Sequence, residues 1–98
     1  MIGVYSYLTS EATTMVALLN EYFKEESIRG CAFILKTEEE IKAFKSLPDN
    51  EIVLIHKCDR NIENDLIDKI KFNYVFFNDG KAYDMQKFAQ RLVKSLVI

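Results

Sequence analysis

The sequence predicts an α/β domain: three layers, α/β/α, around a mainly parallel four-stranded sheet. Two observations carry this. Four apolar runs alternate with four amphipathic stretches, and the resulting β-α-β-α-β-α-β-α order implies crossover connections and parallel neighbours. The chain also holds only three glycines and one proline, which argues against the turn-rich sequence of an all-β design.

The elements follow in order. Ile2 to Leu8 is the first apolar run, and Thr9 or Ser10 then offers a side-chain oxygen to cap a helix. Ala12, Met15, Val16, Leu19, Tyr22 and Phe23 recur at helical spacing and paint one face, and Glu25-Glu26-Ser27 ends it. Cys31 to Leu35 is a continuous apolar run, the mark of a strand covered on both faces. Thr37 and Glu40 form a capping box for a short helix buried through Ile41, Phe44 and Leu47 and stopped by Pro48-Asp49-Asn50. Glu38-Glu39-Glu40 in its first turn suits the helix dipole. Ile52 to Ile55 is the third strand. Ile62, Leu66, Ile67 and Ile70 mark a third helix. Tyr74 to Phe77 is the fourth strand, closed by Asn78-Asp79-Gly80, and Asp84 caps a last helix with an apolar face of Phe88, Ala89, Leu92, Val93 and Leu96. The aromatic side chains Tyr5, Tyr7, Tyr74, Phe76 and Phe77 are expected to pack in the core or at its edge.

In such sheets ligands bind beyond the carboxyl ends of the strands. Those ends carry Tyr7-Leu8-Thr9, Lys36-Thr37, Cys58-Asp59-Arg60 and Asn78-Asp79.

Composition narrows the class. Ninety-eight residues suit one domain, residues 1–98, and 49% hydrophobic with 29% charged residues is a globular balance. Thirteen basic and fifteen acidic side chains leave a net charge of −2. Nothing global therefore favours nucleic acid, whose phosphates reward a basic surface. Cys31 and Cys58 stand in apolar runs and are expected as reduced, buried thiols of a cytoplasmic protein. No apolar stretch approaches the roughly 20 residues of a membrane span, and Met1-Ile2-Gly3-Val4 lacks the basic start of a signal peptide.

Three segments in register resemble the catalytic domain of the serine recombinases, the resolvases and invertases. Ile2-Gly3 followed by Thr9-Ser10-Glu11 is similar to that family's opening strand and turn. Glu51-Ile52-Val53-Leu54-Ile55 followed by Cys58-Asp59-Arg60 resembles its third strand, which ends in Leu-Asp-Arg. Phe77-Asn78-Asp79-Gly80 resembles the end of its next strand, and Met85 onward sits where its long dimerising helix begins. The resemblance implies a resolvase-like fold across nearly the whole chain.

The family's chemistry is absent from the matching positions. Its members attack a DNA phosphodiester with a serine hydroxyl, and clustered arginines stabilise the phosphate in flight. Here the nucleophile's place holds Leu8, and the arginine two before it is Ser6. The arginine three after the Asp-Arg pair is Glu63, and the stretch after the second strand reads Thr37-Glu38-Glu39-Glu40. Asp59 and Arg60 alone remain, with Thr9 and Ser10 the hydroxyls that stand nearest the lost serine. A carboxylate where phosphate must sit repels it.

Other residues carry a bland interpretation beside the functional one. Asp59 and Arg60 suit an anion or a partner's carboxylate, or else a helix cap and a surface ion pair. His56 and Cys58 share a strand face, but two ligands without a second histidine fall short of a zinc site. Lys87, Arg91 and Lys94 form a basic stripe that suits phosphate contacts, and equally the solvated face of an amphipathic helix. Phe88, Leu92 and Leu96 suit a dimer interface, and equally packing on their own sheet. No glycine-rich phosphate loop is present.

The expected function is that of a catalytically inactive recombinase-like module acting by protein association, with itself as a homodimer or with a DNA-bound partner. A small regulator encoded by a mobile element or virus fits such a chain. Direct DNA binding is expected to be weak, with no membrane contact, no metal and no cofactor. The alternative is a receiver-like or small-ligand α/β domain, with Asp59 as phosphoacceptor, and an active recombinase or nuclease ranks third.

Overall fold

The computed structural model describes residues 1–56, 69–78 and 82–96. Seven elements follow one another there: β1 (Ile2–Ser6), α1 (Thr9–Glu25), β2 (Ala32–Leu35), α2 (Glu38–Lys45), β3 (Glu51–His56), β4 (Tyr74–Phe77) and α3 (Ala82–Ser95). The strands form one sheet in the order β2-β1-β3-β4, and every neighbouring pair is parallel. The predicted α/β class and four-stranded parallel sheet are therefore present. Of the third predicted helix only Lys69 and Ile70 are described, and its remainder lies outside the described residues.

Alternation along the strands sorts the core into two layers. Ile2 and Val4 of β1, Val53 and Ile55 of β3 and Phe76 of β4 face α1 and α3, packing on Met15, Leu19 and Phe23 and on Met85, Ala89, Leu92 and Val93. The opposite face is smaller: Leu35 and Ile52 meet Ile41 of α2, Ile70 and the half-buried Tyr5, Phe44 and Phe72. A helix layer on each face gives the three-layer arrangement. Gly3 lies on the α2 side, where a Cβ would stand 2.5 Å from Leu35 Cδ1 and 2.9 Å from the Phe44 ring. Its missing side chain lets α2 sit this close.

The second strand departs from expectation. β2 is an edge strand, and α2 packs over β1 and β3. Phe33 is consequently 43% exposed, its ring edge-on to that of Phe44 with centroids 6.3 Å apart, and Cys31 just ahead of the strand is an exposed free thiol. An uninterrupted apolar run marked a strand covered on both faces, but an edge position leaves one face partly open. Cys58 lies outside the described residues.

Helix ends show the same mixture. Thr37 caps α2 as expected, its Oγ1 accepting from Glu40 N at 3.1 Å, while the Glu40 carboxylate reaches back to Lys36 N rather than to Thr37. The caps predicted for α1 and α3 are not formed. Leu8 is the N-cap of α1 without a side-chain bond, because Thr9 and Ser10 are already helical. Asp84 lies in the first turn of α3, which begins two residues earlier. At the far end of α1, Ile28 N donates to Phe23 O and Ser27 N to Lys24 O, with Ser27 in the left-handed region at φ 54°. This is a Schellman ending with serine in the position usually given to glycine.

Candidate functional site

The chain crosses from β1 outward to β2 and then returns past β1 to β3. The reversal between β1 and β3 is the switch point at which a doubly wound sheet opens a crevice beyond its strand ends. Ser6 closes β1 and His56 closes β3 on either side of it. These two are the buried polar side chains among the described residues.

Ser6 points to the α1 side and its hydroxyl is fully engaged. It accepts from Leu8 N at 3.3 Å and donates to Glu11 Oε1 at 2.5 Å. The other oxygen of the same carboxylate accepts from Asn78 Nδ2 at 2.5 Å. Glu11 stands at the third helical position of α1, where a carboxylate usually reaches back toward the N-cap. Leucine at the cap offers no hydroxyl in return, so Glu11 instead gathers Ser6 from the end of β1 and Asn78 from the end of β4. His56 faces the α2 side, edge-on to the Phe77 ring at 5.3 Å, and its carbonyl accepts from Asn78 N at 2.8 Å. Asn78 thus ties the end of β4 to the ends of β3 and, through Glu11, β1.

The remaining predicted positions are distributed as follows. Leu8 is 47% exposed, and Thr9 and Ser10 are exposed in the first turn of α1, their carbonyls accepting from the Thr13 and Thr14 hydroxyls. Asp59, Arg60 and Glu63 lie outside the described residues. On α3, Leu92 is buried in the domain's own core and Phe88 packs on Phe76 with ring centroids 5.0 Å apart, while Leu96 is exposed. Lys87, Arg91 and Lys94 are all exposed, and the Lys87 ammonium stands 4.6 Å from the Tyr83 ring centroid.

Glu11 and the side-chain role of Asn78 were invisible to sequence patterning. In the sequence Glu11 stands out only as part of Thr9-Ser10-Glu11, and Asn78 only as a strand end that starts a turn. The contact between them spans 67 positions, and no local periodicity signals such a pair.

Exposed apolar and aromatic side chains stand at the same ends of the strands. Tyr7 and Leu8 follow β1, Phe77 ends β4 and Tyr83 opens α3, and all four are about half exposed or more. The packing expected of Tyr7 and Phe77 on the strands is therefore only partial, because both stand at the strand ends, past the helices that cover the sheet.

No group of three or more histidine, cysteine, aspartate or glutamate side chains among the described residues is placed to hold a metal ion. No helix among them is long and apolar enough to cross a membrane.

No family model, no curated protein and no solved structure matches the chain. The likeness to serine recombinases rests on the three segments of sequence described above.

Proposed function

We propose that this chain is a non-catalytic α/β module, recombinase-like in its sequence, that works by associating with protein: a second copy of itself or a partner bound to DNA. The observation that carries this is the Ser6–Glu11–Asn78 network. At the strand ends, where the resemblance would put a scissile phosphodiester, this network gathers a carboxylate, a hydroxyl and an amide, and none of the three is the arginine that a phosphate in flight needs. The Ser6 hydroxyl that ends β1 is committed to that carboxylate. At the same strand ends Tyr7, Leu8, Phe77 and Tyr83 expose apolar and aromatic surface, the composition favoured at the centre of protein interfaces.

Two measurements test this. Supercoiled plasmid incubated with the protein and magnesium is expected to stay intact; nicking that disappears in Thr9→Ala or Ser10→Ala overturns the non-catalytic reading. Sedimentation equilibrium, alone and with candidate DNA-bound partners, is expected to show association that Leu8→Asp or Phe77→Asp abolishes. Association unaffected by either change removes these exposed side chains from the proposal.

A receiver-like or small-ligand domain is the second reading, and the strand order favours it, since β2-β1-β3-β4 is also the order of the receiver and flavodoxin sheets. Incorporation of phosphate from acetyl phosphate into Asp59, lost in Asp59→Asn, would establish it in place of the first.

A further inference from the structure

At the opposite end of the sheet, two segments distant in sequence bring four lysines around one open cavity. Lys42 and Lys45 come from the last turns of α2, Lys69 and Lys71 from the segment leading into β4, and Ser46 and the buried Ile70 complete a space of about 300 Å3. Lys45 Nζ donates to the Lys71 carbonyl, which fastens the end of α2 to the other wall. The chain as a whole carries a charge of −2, so this concentration of positive charge is local.

Among the described residues the lysines are poorly neutralised. Lys42 meets Glu38 at 3.9 Å, and no carboxylate among the described residues pairs with Lys45, Lys69 or Lys71. Cations in the last turn of a helix are favoured by its dipole, which accounts for Lys42 and Lys45. It does not account for Lys69 and Lys71, which belong to another segment and converge on the same cavity at a cost in mutual repulsion. An anion in the cavity would relieve that repulsion. Among the described residues none of the lining side chains is aromatic, so they offer a nucleobase no stacking surface, and recognition would fall on phosphate groups.

We infer that the cavity between α2 and the segment before β4 is a binding site for a compact, multiply charged phosphate compound, held by Lys42, Lys45, Lys69 and Lys71. The site is independent of the association surface, which lies beyond the other ends of the strands.

Calorimetric titration of the whole protein with inorganic tripolyphosphate at low salt tests it. The wild type is expected to bind, with affinity falling as salt is raised. The exposed pair Lys69→Glu with Lys71→Glu is expected to weaken binding by about tenfold or more. Lys24→Glu with Lys94→Glu makes the same change in net charge on α1 and α3, and is expected to weaken it far less. Circular dichroism confirms that both double variants are folded. Absence of binding at millimolar tripolyphosphate overturns the inference, as does equal weakening by the two double variants. Binding of duplex DNA at this site without binding of tripolyphosphate overturns the assignment to a compact ligand.

Discussion

Asn78 donates from its side-chain nitrogen to the Glu11 carboxylate at 2.5 Å, joining the end of β4 to the first turn of α1. Because the other carboxylate oxygen accepts the buried Ser6 hydroxyl, Glu11 serves two donors from two strands. Glu11→Ala is expected to destabilise the domain by about 1–3 kcal/mol, since it leaves the Ser6 hydroxyl without its acceptor. Urea denaturation measures this. A double-mutant cycle of Glu11→Ala with Asn78→Ala is expected to show coupling of about 1 kcal/mol, and strict additivity would mean that the bond contributes nothing.

Ser27 occupies the left-handed position that ends α1, at φ 54°. A Cβ is unfavourable there and glycine is not. Ser27→Gly is expected to raise stability by about 0.5–1 kcal/mol, and Ser27→Val to lower it by a similar amount or more. Thermal melting distinguishes the three proteins, and a less stable glycine variant would contradict the cap geometry.

Leu92 and Leu96 are one helical turn apart but differ in setting, the first 4% and the second 39% exposed. Leu92→Ala is expected to cost about 2–5 kcal/mol through the cavity it opens between α1, α3 and the sheet. Leu96→Ala should stay within about 0.5 kcal/mol. If Leu96→Asp breaks a dimer in sedimentation without altering the melt, the turn that follows α3 belongs to the association surface.

Tyr74 donates to both oxygens of Glu51, at 3.3 and 3.4 Å. Burial first, and then the charge of Glu51, hold its phenol above the ordinary value. The folded state therefore binds the proton more tightly than the unfolded chain. Stability from this group is fully present below about pH 10 and is lost as the pH rises through the folded value. Melting temperatures from about pH 9 to about pH 11 are expected to fall more steeply for wild type than for Tyr74→Phe. Equal slopes would place Tyr74 outside the alkaline transition.

The class of fold was legible in the sequence because it depends on local patterns. Four apolar runs separated by helical stripes are enough to demand crossovers, and the capping oxygen of Thr37 lies only three residues from the N–H that it accepts. The two faces of the sheet were legible too, since side chains alternate along every strand whatever its neighbours. Strand order was not. Nothing in Cys31 to Leu35 distinguishes an edge from a centre, and that choice, made by the crossovers, left Phe33 and Cys31 exposed.

The candidate sites divide along the same line. Residues near the strand ends could be named in advance, because any parallel sheet gathers them there. That Ser6 is bound to a carboxylate, that Asn78 supplies its other partner and that four lysines from two segments share a cavity were decided by tertiary structure alone. Helical and strand periodicities report on neighbours within a few residues. A hydrogen bond across 67 positions, or a cavity between α2 and the segment before β4, exists only once the chain has folded and its distant segments meet.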